Sequence, residues 1–353
     1  MKTTLKSKHS TQFLKNTLKA QHPIRFAWRA LATFATFTVA STLAPIAFAQ
    51  TTDVWPSKTI TYIVPFTPGG STDVIGRTIS QKLTDILQQP VIVDNKPGAA
   101  GAIGAGFVAK SKPDGYTLFG GTISTHAINA SLYKNLSYDP VKDFEPITLV
   151  ASLPNVLIVS PTLGVNTVAE LIALLKRDPT KRIFASSGAG TSAHLAGEMM
   201  ADLIGVPLTH VPYKGTPPAL IDVSTGQVPF MFDQLTAAKQ LADAGKLKII
   251  AVTTPRRLAI APNLPTMMES GIANFQMSSW QAVYAPKGTP KAVVTRLNAE
   301  IVKILKMPDV KEKLGTTLGM EIVASTPEEL AAHMAKEIPR WAELVKKSGA
   351  TAN

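Results

Sequence analysis

Cysteine is absent from this 353-residue chain, and only six histidines occur in it. The missing thiols exclude disulfide bonds, thiolate nucleophiles, zinc–thiolate sites and a lipid anchor on cysteine. The histidines form no His-x-x-x-His or His-Glu-x-x-His pair, and the sequence has no Gly-x-Ser-x-Gly segment. Histidine-type metal centres and the hydrolase nucleophile elbow are therefore not predicted. We expect a protein that uses no metal and no cofactor.

Acidic residues are absent from the first 49 positions, where seven Lys and Arg residues lie. The stretch 30–49 carries no charge and ends in Ala47, Phe48 and Ala49. A basic start, an apolar run and small residues before a cleavage point are typical of a secretory signal peptide. The sequence thus predicts a signal peptide over residues 1–49, cleavage after Ala49 and a periplasmic mature protein. The alternative is an uncleaved membrane anchor, since about 20 apolar residues can span a bilayer.

Net charge is small once this leader is set aside. The chain has 36 Lys and Arg against 24 Asp and Glu, and seven of the basic residues lie in the leader. The mature chain therefore has 29 basic against 24 acidic residues, and no run of Lys and Arg interleaved with aromatic residues. This pattern argues against nucleic acid as a partner. We expect the mature protein to be a monomer.

Strand and helix patterns alternate along the mature chain. The β-branched run Thr59–Pro65 predicts a strand, and apolar residues spaced by three and four positions predict a helix over Thr72–Leu87. The alternation continues as far as Thr253. It predicts an α/β fold in which mainly parallel sheets are flanked by helices on both faces. Two long amphipathic helices, Pro290–Leu305 and Pro327–Val345, are predicted near the C-terminus.

The mature length of about 304 residues fits two domains of ordinary size. Two extended stretches, Ile147–Pro154 and Met277–Pro286, are the predicted crossings between them. They divide the chain into a discontinuous first domain, about 53–152 plus 280–353, and an inserted second domain, about 153–279. A chain that crosses twice forms a two-strand hinge beside a cleft, a geometry that can close around a ligand.

Two glycine-rich loops are the strongest functional signals. The first is Phe66–Asp73 and the second is Ser186–His194, and each follows a predicted strand and precedes a predicted helix. The first N–H groups of a helix have no intrahelical acceptor, and the helix dipole is positive at that end. Glycine also lets a ligand approach the backbone closely. Together the two loops predict a clamp for a small anion.

Further candidates lie in or near these loops. Asp73 is expected to organise the first loop, and His194 to support the second loop from behind. Tyr213 and Lys214 follow a predicted strand and can present a phenol and an ammonium group to the cleft. Asp233 lies at the carboxyl end of another predicted strand, where ligands of open α/β sheets bind. Its carboxylate would repel a plain anion but would accept a hydrogen bond from an amine or a hydroxyl.

A dinucleotide site is the alternative interpretation of the second loop. The segment Gly188–Ala193 fits the G-x-G-x-x-A pattern between a strand and a helix. The acid that binds the ribose should end the following strand, about 20 residues later. That strand ends at Val211, and no acid follows it before Asp222. An exported α/β enzyme or dinucleotide-binding protein stays open as the alternative function.

Short motifs in a fixed order extend over residues 54–348. They are Trp55-Pro56, Pro68-Gly69-Gly70 with Asp73 and Arg77, Asp94-Asn95-Lys96-Pro97-Gly98, Pro113-Asp114-Gly115-Tyr116, Ser187-Gly188 with His194-Leu195-Ala196-Gly197-Glu198, His210-Val211-Pro212-Tyr213-Lys214-Gly215, Ala251-Val252-Thr253 and Ala285-Pro286-Lys287-Gly288-Thr289-Pro290. In this order and spacing the chain resembles the substrate-binding proteins of tripartite tricarboxylate transporters, the Bug-type periplasmic receptors.

The resemblance implies a Venus-flytrap receptor with a type II-like fold and no catalysis, which delivers its ligand to membrane permease subunits. It also implies that one carboxylate is held between the two glycine-rich loops, partly through water. The implied contacts are Phe66, Gly69, Gly70, Ser71 and Thr72 in the first loop, Ser187, Gly188, Gly190 and Thr191 in the second, and Thr122, Ser124 and Thr125 in a further lining segment.

The identity of the ligand stays open at this point. Mono-, di- and tricarboxylates, aromatic carboxylates and acidic amino acids all fit a clamp built of backbone amides. A carboxylate sensor that serves signalling instead of transport is a further alternative.

Overall fold

The structure is a computed structural model that describes residues 55–348 and 350–351. The predicted signal peptide and its cleavage site lie outside the described residues. Among the helices of this described part, none is long and apolar enough to cross a membrane.

Within the described residues the chain forms ten strands. They are β1 Ile60–Val64, β2 Val91–Asn95, β3 Thr117–Thr122, β4 Phe144–Val159, β5 Ile183–Ser186, β6 Thr209–Pro212, β7 Phe230–Gln234, β8 Lys248–Val252, β9 Ser278–Pro286 and β10 Glu321–Ile322.

The same residues contain ten α-helical segments. They are α1 Ser71–Leu87, α2 Ala102–Ala109, α3 Asn129–Leu132, α4 Val168–Arg177, α5 Ser192–Ile204, α6 Thr216–Ser224, α7 Leu235–Asp243, α8 Lys291–Leu305, α9 Pro308–Val310 and α10 Pro327–Ser348. A π-helical turn, Ser124–Ile128, leads into α3, and another, Lys311–Thr317, continues α9. Thr167 caps α4 as its sequence position predicts, because its hydroxyl accepts a hydrogen bond from Glu170 N.

Hydrogen-bonded strands follow the order β2-β1-β3-β9-β4-β7-β5-β6, and β8 and β10 also pair with β4. The strands are parallel where β1 meets β2 and β3, and where β5 meets β6 and β7. Strands β4 and β9 are antiparallel to each of their partners. The predicted α/β class is therefore confirmed, but the strand directions are mixed instead of mainly parallel. The antiparallel pairs arise because β4 carries the chain into the second half and β9 carries it back.

The two predicted crossings are strands of one ribbon. Residues Phe144–Pro154 of β4 pair with β9, whereas the following residues Asn155–Val159 pair with β7 and β8. We call the part built on β1, β2, β3 and β9 the first half, and the part built on β5 to β8 the second half. The domain boundaries predicted from the sequence run through this ribbon and stay a prediction.

Apolar side chains fill both faces of each half. Strand β1 and helices α1 and α8 share one cluster, which includes Ile60, Ile79 and Leu297. In the second half, β4, β7 and α6 share another, which includes Ile158 and Leu220. The buried clusters hold the carboxyl ends of the strands in fixed positions, and the loops that follow these ends carry the polar residues considered below.

The C-terminal helix α10 is fixed to β9 by a buried carboxylate. Glu337 accepts hydrogen bonds from the indole N–H groups of Trp280, at 2.9 Å, and Trp341, at 2.8 Å. Both indoles are buried, and the Arg340 guanidinium donates to the other oxygen of Glu337 at 3.0 Å. Burial alone would raise the pKa of Glu337, but the hydrogen bonds from Trp341, Trp280 and Arg340 lower it. The carboxylate is therefore ionised at neutral pH.

Candidate functional site

The first glycine-rich loop ends where α1 begins. Gly70 is the N-cap of α1, and no side chain caps this helix end. A Cβ atom added to Gly70 would meet no atom closer than 3.8 Å, so a methyl group fits at this residue without a clash. Gly69 has a φ of +87°, which favours glycine. The N–H groups at the start of α1 are therefore available to an acceptor outside the helix.

Asp73 holds this loop together. Its carboxylate accepts hydrogen bonds from Gly69 N at 2.9 Å and Arg77 Nε at 2.9 Å, while its second oxygen accepts from Asn95 Nδ2 at 3.0 Å. Burial would raise the pKa of Asp73, but the bonds from Arg77, Gly69 and Asn95 outweigh it and lower the pKa. Because both oxygens are engaged by the protein, Asp73 fixes the backbone that precedes α1.

The second glycine-rich loop ends where α5 begins. Thr191 is the N-cap: its hydroxyl accepts from His194 N at 3.3 Å and donates to Gly188 O at 2.8 Å. The N–H group of Gly190 donates to Nδ1 of His194 at 3.2 Å, and Nε2 of this ring lies 3.3 Å from Glu198 Oε1. His194 therefore carries its proton on Nε2 and supports the loop from the side of α5.

A second histidine packs on the first. The rings of His194 and His210 are stacked with centroids 3.9 Å apart, and Nε2 of His210 lies 2.6 Å from the Ser186 hydroxyl. Burial, and to a smaller extent the charge of His194, lowers the pKa of His210 to about 3. The stacked ring pair forms a support beneath Ser186 and the loop that follows it.

Other helical segments begin at the same place as α1 and α5. Thr216 is the first residue of α6, Gln234 is the N-cap of α7, and Ser124 begins the π-helical turn before α3. All three residues border one cavity together with the starts of α1 and α5. Helix N-termini carry partial positive charge and unsatisfied N–H groups, although in α6 two of these N–H groups are missing at Pro217 and Pro218. Their convergence gives the cavity a field that favours an anion.

The cavity lies between the two halves of the fold and has a volume of about 400 Å³, part of which is open to solvent. Its wall consists of Phe66, Gly70, Ser71, Thr72, Thr122, Ser124, Ser187, Thr191, Ser192, Thr216, Gln234, Ser279 and Gln281. Hydroxyl groups and two carboxamides dominate this wall, and Phe66 is its single aromatic residue. None of these described wall residues is charged, so an anion would be held by hydrogen bonds and helix dipoles.

Asp233 lies one hydrogen bond behind the wall. Its Oδ2 accepts from the Thr216 hydroxyl at 2.7 Å, and its Oδ1 accepts from Gln234 N at 2.7 Å. The side chain is fully buried, and burial raises the pKa of Asp233 to about 6 in spite of these two bonds. Asp233 therefore orients Thr216 and fixes the start of α7.

Two hydrogen bonds join the halves, one at this cavity and one at a second cavity beside it. The Ser71 hydroxyl of the first half lies 3.3 Å from Gln234 Oε1 of the second half, to which it donates. The Tyr133 hydroxyl of the first half donates to Ala189 O of the second loop at 3.1 Å. In this arrangement the two glycine-rich loops face each other across the cavity.

Eight of the residues predicted as ligand contacts lie in the cavity wall: Phe66, Gly70, Ser71, Thr72, Thr122, Ser124, Ser187 and Thr191. Three other candidates, Gly188, Tyr213 and Lys214, border a neighbouring cavity of about 810 Å³, which shares Phe66 and Ser187 with the first. The Tyr213 hydroxyl donates to Asp222, so it is engaged within the second half. Whether any of these residues contacts a ligand stays a prediction.

The remaining candidates lie outside the wall: Gly69 is exposed, and Thr125, Gly190 and Asp233 are buried. Gly69 donates to Asp73, Thr125 is fully buried and bonds to Thr122, and Asp233 lies behind Thr216. A Cβ atom on Gly190 would stand 2.5 Å from Leu132, so this glycine serves close packing of the two halves. The structure thus gives these four positions supporting contacts instead of a place in the wall.

The neighbouring cavity is bordered by an unusual turn. The four consecutive residues from Gly98 to Gly101 all have left-handed φ values, including +47° at Ala99 and +48° at Ala100. Such a conformation costs roughly 1–2 kcal/mol for each residue with a Cβ atom. The Asn129 side chain holds the turn by donating to Ala100 O at 3.2 Å. The turn brings Ala100 against the second glycine-rich loop.

Sequence reasoning missed five residues of the wall: Ser192, Thr216, Gln234, Ser279 and Gln281. The first three begin helices that follow strands, so the rule that predicted the two loops would have found them. Ser279 and Gln281 lie two positions apart on β9 and therefore share one face of the strand. No local motif marks them, because they reach the cavity through the pairing of β9 with β3 and β4.

A family model and several relatives match most of this chain. The family model described as tripartite tricarboxylate transporter family receptor matches residues 75–350. Protein BugT of Bordetella pertussis is 37% identical over 308 residues, which are 87% of this chain and 94% of BugT.

Two solved structures share both the fold and much of the sequence. R. palustris Rpa4515 with adipate has a TM-score of 0.82 and 38% identity, and the match covers 84% of this chain and 99% of that one. The periplasmic binding protein BugD has a TM-score of 0.81 and 38% identity, covering 85% of this chain and 100% of BugD. The fold is therefore that of a periplasmic binding protein with two domains.

Proposed function

We propose that this chain, which belongs to the tripartite tricarboxylate transporter receptor family, binds a small organic carboxylate in the cavity between α1 and α5. The family is one of periplasmic substrate-binding receptors. Delivery of the carboxylate to membrane permease subunits, and the absence of catalysis by this chain, are parts of the same proposal.

The convergence of helix starts carries this proposal. The N-termini of α1, α5, α6 and α7 border one uncharged, hydroxyl-lined cavity. A carboxylate there would accept hydrogen bonds from backbone N–H groups and hydroxyls, and each helix dipole would favour its charge. The relative Rpa4515 holds adipate, which is consistent with a carboxylate ligand.

Several finer statements belong to the proposal. The predicted domains, about 53–152 plus 280–353 and about 153–279, would close on the ligand about the ribbon of β4 and β9. The clamp would comprise the eight predicted wall residues, supported by Asp73 and His194. The mature protein would be a periplasmic monomer that begins at Gln50.

A thermal-shift screen of the mature protein tests the proposed function. A ligand present at 100 times its dissociation constant should raise the free energy of unfolding by about 2.7 kcal/mol. A shift of several degrees is expected for one or more aliphatic carboxylates, and the primary amides of the same acids should give none. Failure of all carboxylates in a broad set, or equal shifts with the amides, would contradict the proposal.

A further inference from the structure

Gln281 has a buried side chain without a protein partner at the cavity wall. It lies on β9 between Thr122 of β3 and Ala151 of β4, and only 3% of the residue is exposed. Its Oε1 finds no hydrogen-bond partner among the described residues. Ser279, two positions earlier on the same face, is also 3% exposed and borders the cavity.

An unsatisfied buried amide oxygen is costly. Leaving such an acceptor without a donor costs roughly 1–3 kcal/mol. Among the described residues nine buried side-chain atoms have no hydrogen-bond partner, and of these the Gln281 oxygen is the one that belongs to a residue of the cavity wall. Replacement by an apolar residue of similar length would remove this cost, and the backbone pairing of β9 does not need the side chain. The group therefore indicates a donor that arrives in the cavity from outside the fold.

The donor cannot be the carboxylate of the ligand, which at neutral pH only accepts hydrogen bonds. An ammonium group would need a counter-charge, but the described wall residues include no acid. The two buried acids behind the wall, Asp73 and Asp233, already accept hydrogen bonds from protein groups with both oxygens. An alcohol hydroxyl needs no counter-charge and can donate to Gln281 while it accepts from a neighbouring Ser or Thr.

We propose that Gln281 accepts a hydrogen bond from an alcohol hydroxyl on the ligand, and that Ser279 donates one to it. This receptor would therefore bind aliphatic hydroxycarboxylates more tightly than the corresponding unsubstituted acids. The inference rests on the proposed carboxylate-binding function and adds the class of ligand. The single aromatic residue in the wall agrees with an aliphatic ligand.

Calorimetry with matched acid pairs tests the inference. The pairs are propionate and L-lactate, succinate and L-malate, and glutarate and 2-hydroxyglutarate, with L-aspartate as the amine-bearing partner of succinate. We expect the hydroxylated member of at least one pair to bind at least about tenfold more tightly, as one good hydrogen bond to a buried acceptor provides. In Gln281→Met the preference should fall below about twofold, while the unsubstituted acid binds about as in the wild type.

The control is Gln276→Met, the same change at an exposed glutamine outside the cavity, which should keep the full preference. If Gln281→Met does not fold, as judged by its melting temperature, Ser279→Ala takes its place and should reduce the preference in the same direction. Equal binding within every pair, tighter binding of aspartate than of malate, or an undiminished preference in the variant would overturn the inference but leave the receptor function. Absence of binding by every acid would overturn both.

Discussion

Gly70 provides the sharpest single-residue test of the anion clamp. The residue has an ordinary φ of −78°, and a methyl group on it would meet protein atoms only at 3.8 Å or beyond. Gly70→Ala should therefore fold normally but place a methyl group where the carboxylate approaches the backbone. We expect at least about tenfold weaker binding of the ligand found in the thermal-shift screen, measured by calorimetry, since overpacking typically costs 1–3 kcal/mol.

The matched control for this change is Gly315→Ala in the π-helical turn after α9, where the added methyl group also meets nothing closer than 3.8 Å. Its affinity should equal that of the wild type. Gly190 is unsuitable for the same test, because its φ of +94° and the nearby Leu132 would disturb the fold as well. Unchanged affinity in Gly70→Ala would remove the start of α1 from the binding site.

His126 gives the protein a pH dependence of stability with a defined sign. Its ring is fully buried and stacks on Tyr284 with centroids 3.8 Å apart, and burial lowers its pKa to about 3. Between pH 6.5 and pH 3 the unfolded chain binds a proton that the folded chain excludes. The contribution to stability is therefore complete above pH 6.5 and declines as the pH falls through this window.

His126→Phe keeps an aromatic ring in the stack but cannot titrate. Between pH 7 and pH 5 the wild type should lose about 2 kcal/mol more of its free energy of unfolding than the variant does. Urea unfolding at the two pH values measures this difference. Equal losses in both proteins would show that His126 is not excluded from protonation in the folded state.

At the residue scale the sequence predicted those wall positions whose role depends on local chemistry. Glycine and hydroxyl residues between a strand and a helix predict an anion-binding loop whatever the rest of the fold. Ser71, Thr72 and Thr191 lie in the two loops predicted in this way. Gln281 reaches the cavity because β9 lies between β3 and β4. That pairing joins residues more than 100 positions apart, so no local pattern reveals it.

Helix α10 is attached by buried apolar side chains and by one buried carboxylate, Glu337. Replacing Glu337 with leucine would leave the buried indole N–H groups of Trp280 and Trp341 without an acceptor. Each donor without an acceptor costs roughly 1–3 kcal/mol. We therefore expect Glu337→Leu to lower the free energy of unfolding by about 3 kcal/mol or more. Scanning calorimetry should show a fall in melting temperature of about 6 °C or more.

Glu343→Leu is the control on the same helix, since Glu343 is exposed and pairs only with the exposed Lys347. A surface pair of this kind contributes less than about 1 kcal/mol. Glu337→Gln should lie between the two, because its amide oxygen can still accept from an indole. Equal melting temperatures for Glu337→Leu and Glu343→Leu would refute the role assigned to the buried carboxylate.

At the scale of elements, periodicity predicted α1, α5 and α10 because their apolar residues recur along one face. It did not predict that β4 is a single strand of 16 residues. Each part of β4 is buried against different partners, so its pattern changes at Asn155. The sequence also does not predict the left-handed turn of Gly98–Gly101, because alanine, which occupies two of its four positions, favours a helix over a positive φ.

At the scale of the whole molecule, hydrogen bonds join the two halves beside the cavity. We therefore expect the two halves to close around the ligand. Tyr133→Phe removes one of them, the bond to Ala189 O. If the halves close on the ligand, the variant should bind about fivefold less tightly, which corresponds to one ordinary hydrogen bond. Small-angle scattering of the wild type should show a smaller radius of gyration with saturating ligand than without it.

Tyr116→Phe serves as the control, because the Tyr116 hydroxyl contacts Ser57 within the first half. Its affinity for the ligand should not change. An identical scattering radius with and without ligand, together with wild-type affinity in Tyr133→Phe, would mean that binding does not involve movement of the halves.

The ribbon of β4 and β9 also brings together the two ends of the segment that forms the second half. Pro154 pairs with Ser278 and Leu153 pairs with Ser279, so the segment 155–277 leaves and re-enters the first half at adjacent points of one ladder. A two-residue hairpin turn is enough to join antiparallel strands at such a point. We therefore expect that the segment can be exchanged as a cassette for that of a relative which keeps the apolar cluster shared by the two halves. Recombination at these two positions would combine the α1 side of one receptor with the α5 side of another.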